Sequence, residues 1–195
     1  MQINIKKEKL LVNLVTLLRI PLTVIGIFGL YQYSQSADNL WKIIFILISI
    51  CIYISDFIDG RLARQWKATS DKGARLDFFC DSFYIISCLL TMILIKISSP
   101  WILLVVFYKL FEFVLVSKIK RKLFKGKTFY FYDKIGRVLS VLFYLTPAML
   151  LILHTKAQLY WNNILLKYTV ILIGLTIISS LVKFRKISRL IMQIE

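Results

Sequence analysis

Residues 55–82 read SDFIDGRLARQWKATSDKGARLDFFCDS, between the apolar runs ILISICIYI (46–54) and FYIISCLLTMILI (83–95). Five of the chain's ten acidic residues fall in this stretch: Asp56, Asp59, Asp71, Asp77 and Asp81. Both flanks have the composition of bilayer-crossing helices, so the stretch is the polar end of a helical hairpin. Ionisable side chains at the ends of such runs are costly to keep and mark a functional site.

The rest of the chain agrees with a membrane setting. Of its 195 residues, 58% are hydrophobic, against about 45–50% in a soluble domain. The mean hydropathy is +0.73. The expected fold is all-α and polytopic, a single domain over 1–195. Residues 1–12 form an amphipathic juxtamembrane segment. Six spans follow at about 10–33, 40–58, 74–97, 101–116, 138–153 and 165–182. Residues 60–72 are expected as a loop, with Asp71 solvated beside Lys72, and the fifth span can begin earlier, near Lys134. The first span runs on without a small-residue cleavage site and reads as a retained helix.

The net charge of +16 arises from 26 Lys and Arg against ten acids. The basic residues are blocked before the first span, between the second and third, between the fourth and fifth, and after the sixth. That alternation is the positive-inside pattern rather than a nucleic-acid patch, so both termini and residues 55–82 are expected on the cytoplasmic side. The same charge favours anionic lipids and phosphorylated substrates. The three cysteines, Cys51, Cys80 and Cys88, have no metal-ligand spacing and read as packing residues. Trp41, Trp101 and Trp161 read as interfacial anchors. Lys109 and Glu112, three apart within the fourth span, are expected to pair.

Asp56 and Asp59 are three apart, and Asp77 and Asp81 four apart, so each pair shares one face of its helix. An antiparallel hairpin brings the four carboxylates to one membrane depth. Four bare carboxylates repel one another, and hard divalent cations such as Mg²⁺ or Mn²⁺ relieve that repulsion. Two metals shared by these acids would clamp a diphosphate. Between the pairs, Gly60 and Gly73 allow close approach, Ala63 leaves room for a flat ligand, and Arg64 offers a fork for phosphate.

Written as D56-x2-D59-G60-x2-A63-R64-x8-G73-x3-D77-x3-D81, the stretch resembles the signature of the CDP-alcohol phosphatidyltransferase family at all eight positions. The first-span series Asn13, Thr16, Arg19 is also similar to family members. The resemblance implies an integral membrane enzyme of phospholipid biosynthesis. It would transfer a phosphatidyl group from CDP-diacylglycerol to the hydroxyl of a small polar, phosphorylated alcohol and release CMP. It implies a two-metal site (Mg²⁺ or Mn²⁺) on Asp56, Asp59, Asp77 and Asp81, with Asp81 also the general base. Contacts to the cytidine diphosphate would come from Asp56, Gly60, Ala63, Arg64 and Gly73. Lys134 and Arg137 are candidates for binding the acceptor, glycerol 3-phosphate or inositol phosphate. Family resemblance further implies a homodimer in the bilayer, here a bacterial cytoplasmic membrane, with no nucleic-acid partner. Glycerol-phosphate members often have Pro after the third Asp and Lys after the fourth, where this chain has Phe78 and Ser82. A head-group phosphotransferase acting on diacylglycerol, an intramembrane prenyltransferase and a divalent-cation transporter are the alternatives.

Overall fold

A computed structural model of the chain describes residues 2–66, 71–123 and 134–191, and the described residues are helical with no strand. The helices are α1 (Gln2–Leu17), α2 (Arg19–Ser36), α3 (Asn39–Gln65), α4 (Asp71–Leu94), α5 (Pro100–Leu123), α6 (Lys134–Lys156) and α7 (Trp161–Ile191), with a short 3₁₀ turn at Gln158–Tyr160. Leu10–Ser36 of α1 and α2 forms one candidate span, so with α3 to α7 six long helical stretches are present among the described residues. Five of these are long and apolar enough to cross a membrane. The sixth, α5, has 24 residues, about 36 Å of helix, and carries Lys109 and Glu112 within it.

Local chemistry explains the breaks. Pro21 has no N–H to give the Leu17 carbonyl, so the ladder breaks at Leu18, while the Leu18 N–H still reaches the Leu14 carbonyl at 3.1 Å and the Leu22 N–H the Leu18 carbonyl at 3.3 Å. α2 stops at Ala37, whose φ of 53° is left-handed. Asp38 then caps α3, its Oδ1 accepting from the Leu40 N–H at 2.9 Å. α4 ends where Lys96 turns left-handed (φ 61°) and the Ile97 N–H reaches back to the Met92 carbonyl at 2.8 Å. Pro100 opens α5, where its missing N–H costs nothing.

The described residues fall into two units, Met1–Ile97 with Pro147–Ile152, and Ser98–Thr146 with Leu153–Glu195. In the first, α1 and α2 pack on α3 and α4. The buried stripe of the first span is Val12, Thr16, Arg19, Thr23, Gly26 and Leu30, alternating steps of four and three. Phe45, Ser49, Ile52 and Asp59 continue the pattern on α3, while Cys80, Tyr84, Cys88 and Met92 on α4 step by four. On the first span and α3, steps averaging about 3.5 residues give the two helices a straight seam. At Gly26 α2 lies against α3: a Cβ there would stand 3.4 Å from Ile48, an ordinary contact distance. The opposite faces expose large apolar side chains such as Leu14, Ile25, Phe28 and Leu47, as lipid-facing surfaces do.

In the second unit α5 packs on α7, with Ile102, Val106 and Lys109 buried on one and Leu172, Thr176 and Ser179 on the other. The expected pair forms: Lys109 Nζ lies 2.7 Å from Glu112 Oε2. It reaches further than that, because Lys183 on α7 stands 3.1 Å from Glu112 Oε1, and Ser179 and Ser180 accept from Lys109 at 3.0 and 3.1 Å.

Several sequence expectations need correction. Residues 60–65 are not loop but the last turns of α3, and Asp71 opens α4 rather than lying mid-loop. RLARQ is rich in good helix formers, so the helix outruns its hydrophobic stretch. For the same reason α7 extends well past 165–182 at both ends, and α5 continues into the basic run. Cys51 is exposed, whereas Cys80 and Cys88 are buried as expected. Trp161 is buried, edge-on to His154 with ring centroids 5.1 Å apart, and so is no interfacial anchor. The side chains of residues 2–9, which would carry the N-terminal amphipathic face, lie outside the described residues.

Candidate active site

The seams of α1/α2, α3 and α4 carry charge at one end only. Below it lies a hydroxyl layer: Tyr84 Oη donates to Ser49 Oγ at 3.2 Å and is 3.2 Å from Tyr53 Oη. One to two turns further along, α3 supplies Asp56 and Asp59 and α4 supplies Asp77 and Asp81. The four acids do converge, and what they converge on is the first span.

Arg19 is fully buried, and its guanidinium lies among three of these carboxylates. Nη2 is 3.1 Å from Asp56 Oδ1 and bonds to Asp59 Oδ2, while Nη1 donates to Asp81 Oδ1 at 2.7 Å. One turn earlier, Thr16 Oγ1 is 2.8 Å from Asp77 Oδ1 and 3.1 Å from Asp59 Oδ2. A hydroxyl has one proton, so the shorter contact, to Asp77, is the donated bond. Thr23 in turn donates to the Arg19 carbonyl at 2.6 Å.

The four acids differ in exposure. Asp59 is 3% exposed, Asp81 32% and Asp56 47%. Asp59 is therefore a floor residue, while Asp56 and Asp81 can meet a ligand. Among the described residues no three acids close on a single point at metal-ligand range. The donor set nevertheless suits divalent cations, with four hard carboxylates and, among the described side chains, one guanidinium bonded to three of them.

Gly60 and Gly73 are half-buried on α3 and α4. Ala63 and Arg64 fall on the same terminal turns of α3, but their side chains, like that of Lys134, lie outside the described residues. Arg137 is exposed near the start of α6, in the other unit. Sequence reasoning noted Thr16 and Arg19 but gave them no place among the acids. The available signal was an arginine inside an apolar span, which requires a buried counter-charge.

This helical membrane architecture, with its acid signature at one end of three seams, places the chain in a known class. The sequence pattern of the CDP-alcohol phosphatidyltransferase family matches residues 9–182, and the chain belongs to that family of transferases. It is 33% identical over 109 residues to a CDP-diacylglycerol–glycerol-3-phosphate 3-phosphatidyltransferase of Cereibacter sphaeroides, covering 55% of this chain and 48% of that protein. It is 31% identical over 74 residues to a CMP-forming cardiolipin synthase of Streptomyces coelicolor, covering 38% of this chain and 33% of that protein. The chain thus spans about half or less of the curated relatives it matches.

Proposed function

We propose that this chain, acting as one domain over residues 1–195, transfers a phosphatidyl group from CDP-diacylglycerol to the hydroxyl of a small phosphorylated alcohol, releasing CMP. The observation that carries the reading is the set of four signature acids from two helices gathered around one buried guanidinium. Glycerol 3-phosphate is the first acceptor to test, since the C. sphaeroides relative is named for it, and inositol phosphate the second.

Asp56, Asp59, Asp77 and Asp81 would hold Mg²⁺ or Mn²⁺, which when bound neutralises the diphosphate and eases departure of CMP. Gly60, Ala63, Arg64 and Gly73, with Asp56, form the surface for the cytidine diphosphate. Asp81 engages Arg19 through Oδ1, and its Oδ2 takes the proton of the acceptor hydroxyl. The hydroxyl oxygen then attacks the phosphorus that bears the diacylglycerol. That phosphorus–oxygen bond to CMP breaks, and CMP departs with the electron pair. Lys134 and Arg137 are the basic residues assigned to the acceptor's phosphate. The active site faces the cytoplasm of a bacterial membrane, with both termini on that side, and the working unit is a homodimer.

The test is radiolabelled CDP-diacylglycerol supplied with glycerol 3-phosphate, inositol phosphate or phosphatidylglycerol, with the lipid product identified directly. The reading predicts a product carrying the phosphatidyl label from a small phosphorylated alcohol. Product from phosphatidylglycerol alone would move the assignment to cardiolipin synthesis, the reaction named for the S. coelicolor relative. No product from any acceptor, with Mn²⁺ entering liposomes instead, would make the chain a transporter.

A further inference from the structure

A fully buried arginine inside a bilayer-spanning helix is expensive, and a salt bridge on one side alone offsets little of that cost. Arg19 resolves this by bonding two acids of α3 and one of α4 at once. Thr16, one turn away, reaches the fourth acid. The first span therefore touches every carboxylate of the signature, though it contributes none of them. A guanidinium suits this place because its planar fork can serve several carboxylates together, which a lysine ammonium does not do.

We propose that Arg19 is a positioning residue and the resident counter-cation of the acid cradle. It holds the carboxylates of α3 and α4 at a set separation and competes with divalent cations for their oxygens. The proposal rests on the cation-binding reading of the site above. It has two consequences of opposite sign. Without Arg19 four acids are left to repel one another, so the protein is weakened unless a divalent cation is supplied. Without Arg19 the cation also loses a competitor, so it binds more tightly. An ion pair that merely fastened helices together would lower stability in a way that no metal restores.

The experiment uses the full chain in detergent, comparing wild type with Arg19→Gln and Arg19→Lys. Thermal unfolding is followed in EDTA and across a Mn²⁺ titration, and bound Mn²⁺ is counted by electron paramagnetic resonance. The proposal predicts that Arg19→Gln melts roughly 6–12 °C below wild type in EDTA. Saturating Mn²⁺ closes most of that gap, and the Mn²⁺ midpoint falls at least about tenfold. Arg19→Lys, which keeps the charge without the fork, falls between the two and serves as the measurement if Arg19→Gln does not fold. A deficit that Mn²⁺ leaves untouched in either variant, or an unchanged or weaker midpoint, overturns the proposal while leaving the cation site standing. Failure of wild type itself to bind Mn²⁺ overturns both.

Discussion

Two sets of buried charge lie inside the spans, and they are built differently. Around Arg19, three carboxylates share one guanidinium and a fourth is held by Thr16, and two of those acids are 32% and 47% exposed. Around Glu112, two ammonium groups meet one carboxylate, with Ser179 and Ser180 taking up further bonds, and Glu112 is only 12% exposed. The second set nearly balances its charge within the two helices it joins, as a polar network between membrane helices does. Among the described side chains the first holds more carboxylates than cations, and two of those carboxylates open outward. A membrane protein tolerates such an imbalance where a cation and a phosphorylated ligand are to be received.

The largest expected effect tests the first set. Asp81→Asn keeps the size and the Arg19-facing oxygen but removes the base, so turnover should fall about 10²–10⁴-fold with CDP-lipid binding largely retained. Near-wild-type transfer by the purified variant would remove Asp81 from the chemistry. The matching change in the second set is Glu112→Gln, which leaves Lys109 and Lys183 without their carboxylate. Unfolding measurements should show a loss of about 3 kcal/mol, while turnover per folded molecule stays within about threefold. If instead turnover collapses with stability intact, the contrast between the two sets fails.

Thr16→Val sharpens the comparison within the first set. It removes the hydroxyl that holds Asp77 but leaves all four acids and Arg19, and initial rates should fall roughly tenfold. An unchanged rate would mean that Asp77 is held by other means. The smallest effect lies outside both sets. Lys96 occupies a left-handed helix end, and Lys96→Gly should raise stability by about 0.5–1 kcal/mol with no effect on rate. A loss of stability there would show that the Lys96 side chain contributes more than its backbone strain costs.

The contrast also shows what a sequence of this kind reveals. The all-α, multi-span architecture followed from composition, and the meeting of the four acids followed from spacings of three and four on a hairpin. Helix ends did not, because hydropathy reports where lipid stops and not where hydrogen bonding stops. Gly60–Gln65 and Lys183–Ile191 are polar and basic yet remain helical. Arg19 was visible as a charge inside a span, but its partners lie 37 to 62 positions further along, and only packing of three seams reveals them. The Lys109–Glu112 pair was readable from its spacing of three. Its extension to Lys183 was not, since it depends on which face α7 turns towards α5.

The most direct measurement is CMP release from CDP-diacylglycerol and glycerol 3-phosphate by the purified wild-type chain, with Mn²⁺ or Mg²⁺ and after their removal by EDTA. The account predicts CMP in step with lipid product when the cation is present, and loss of both on chelation, restored by adding metal back. CMP release that continues undiminished in EDTA would contradict a cation-binding acid cradle as the seat of the reaction.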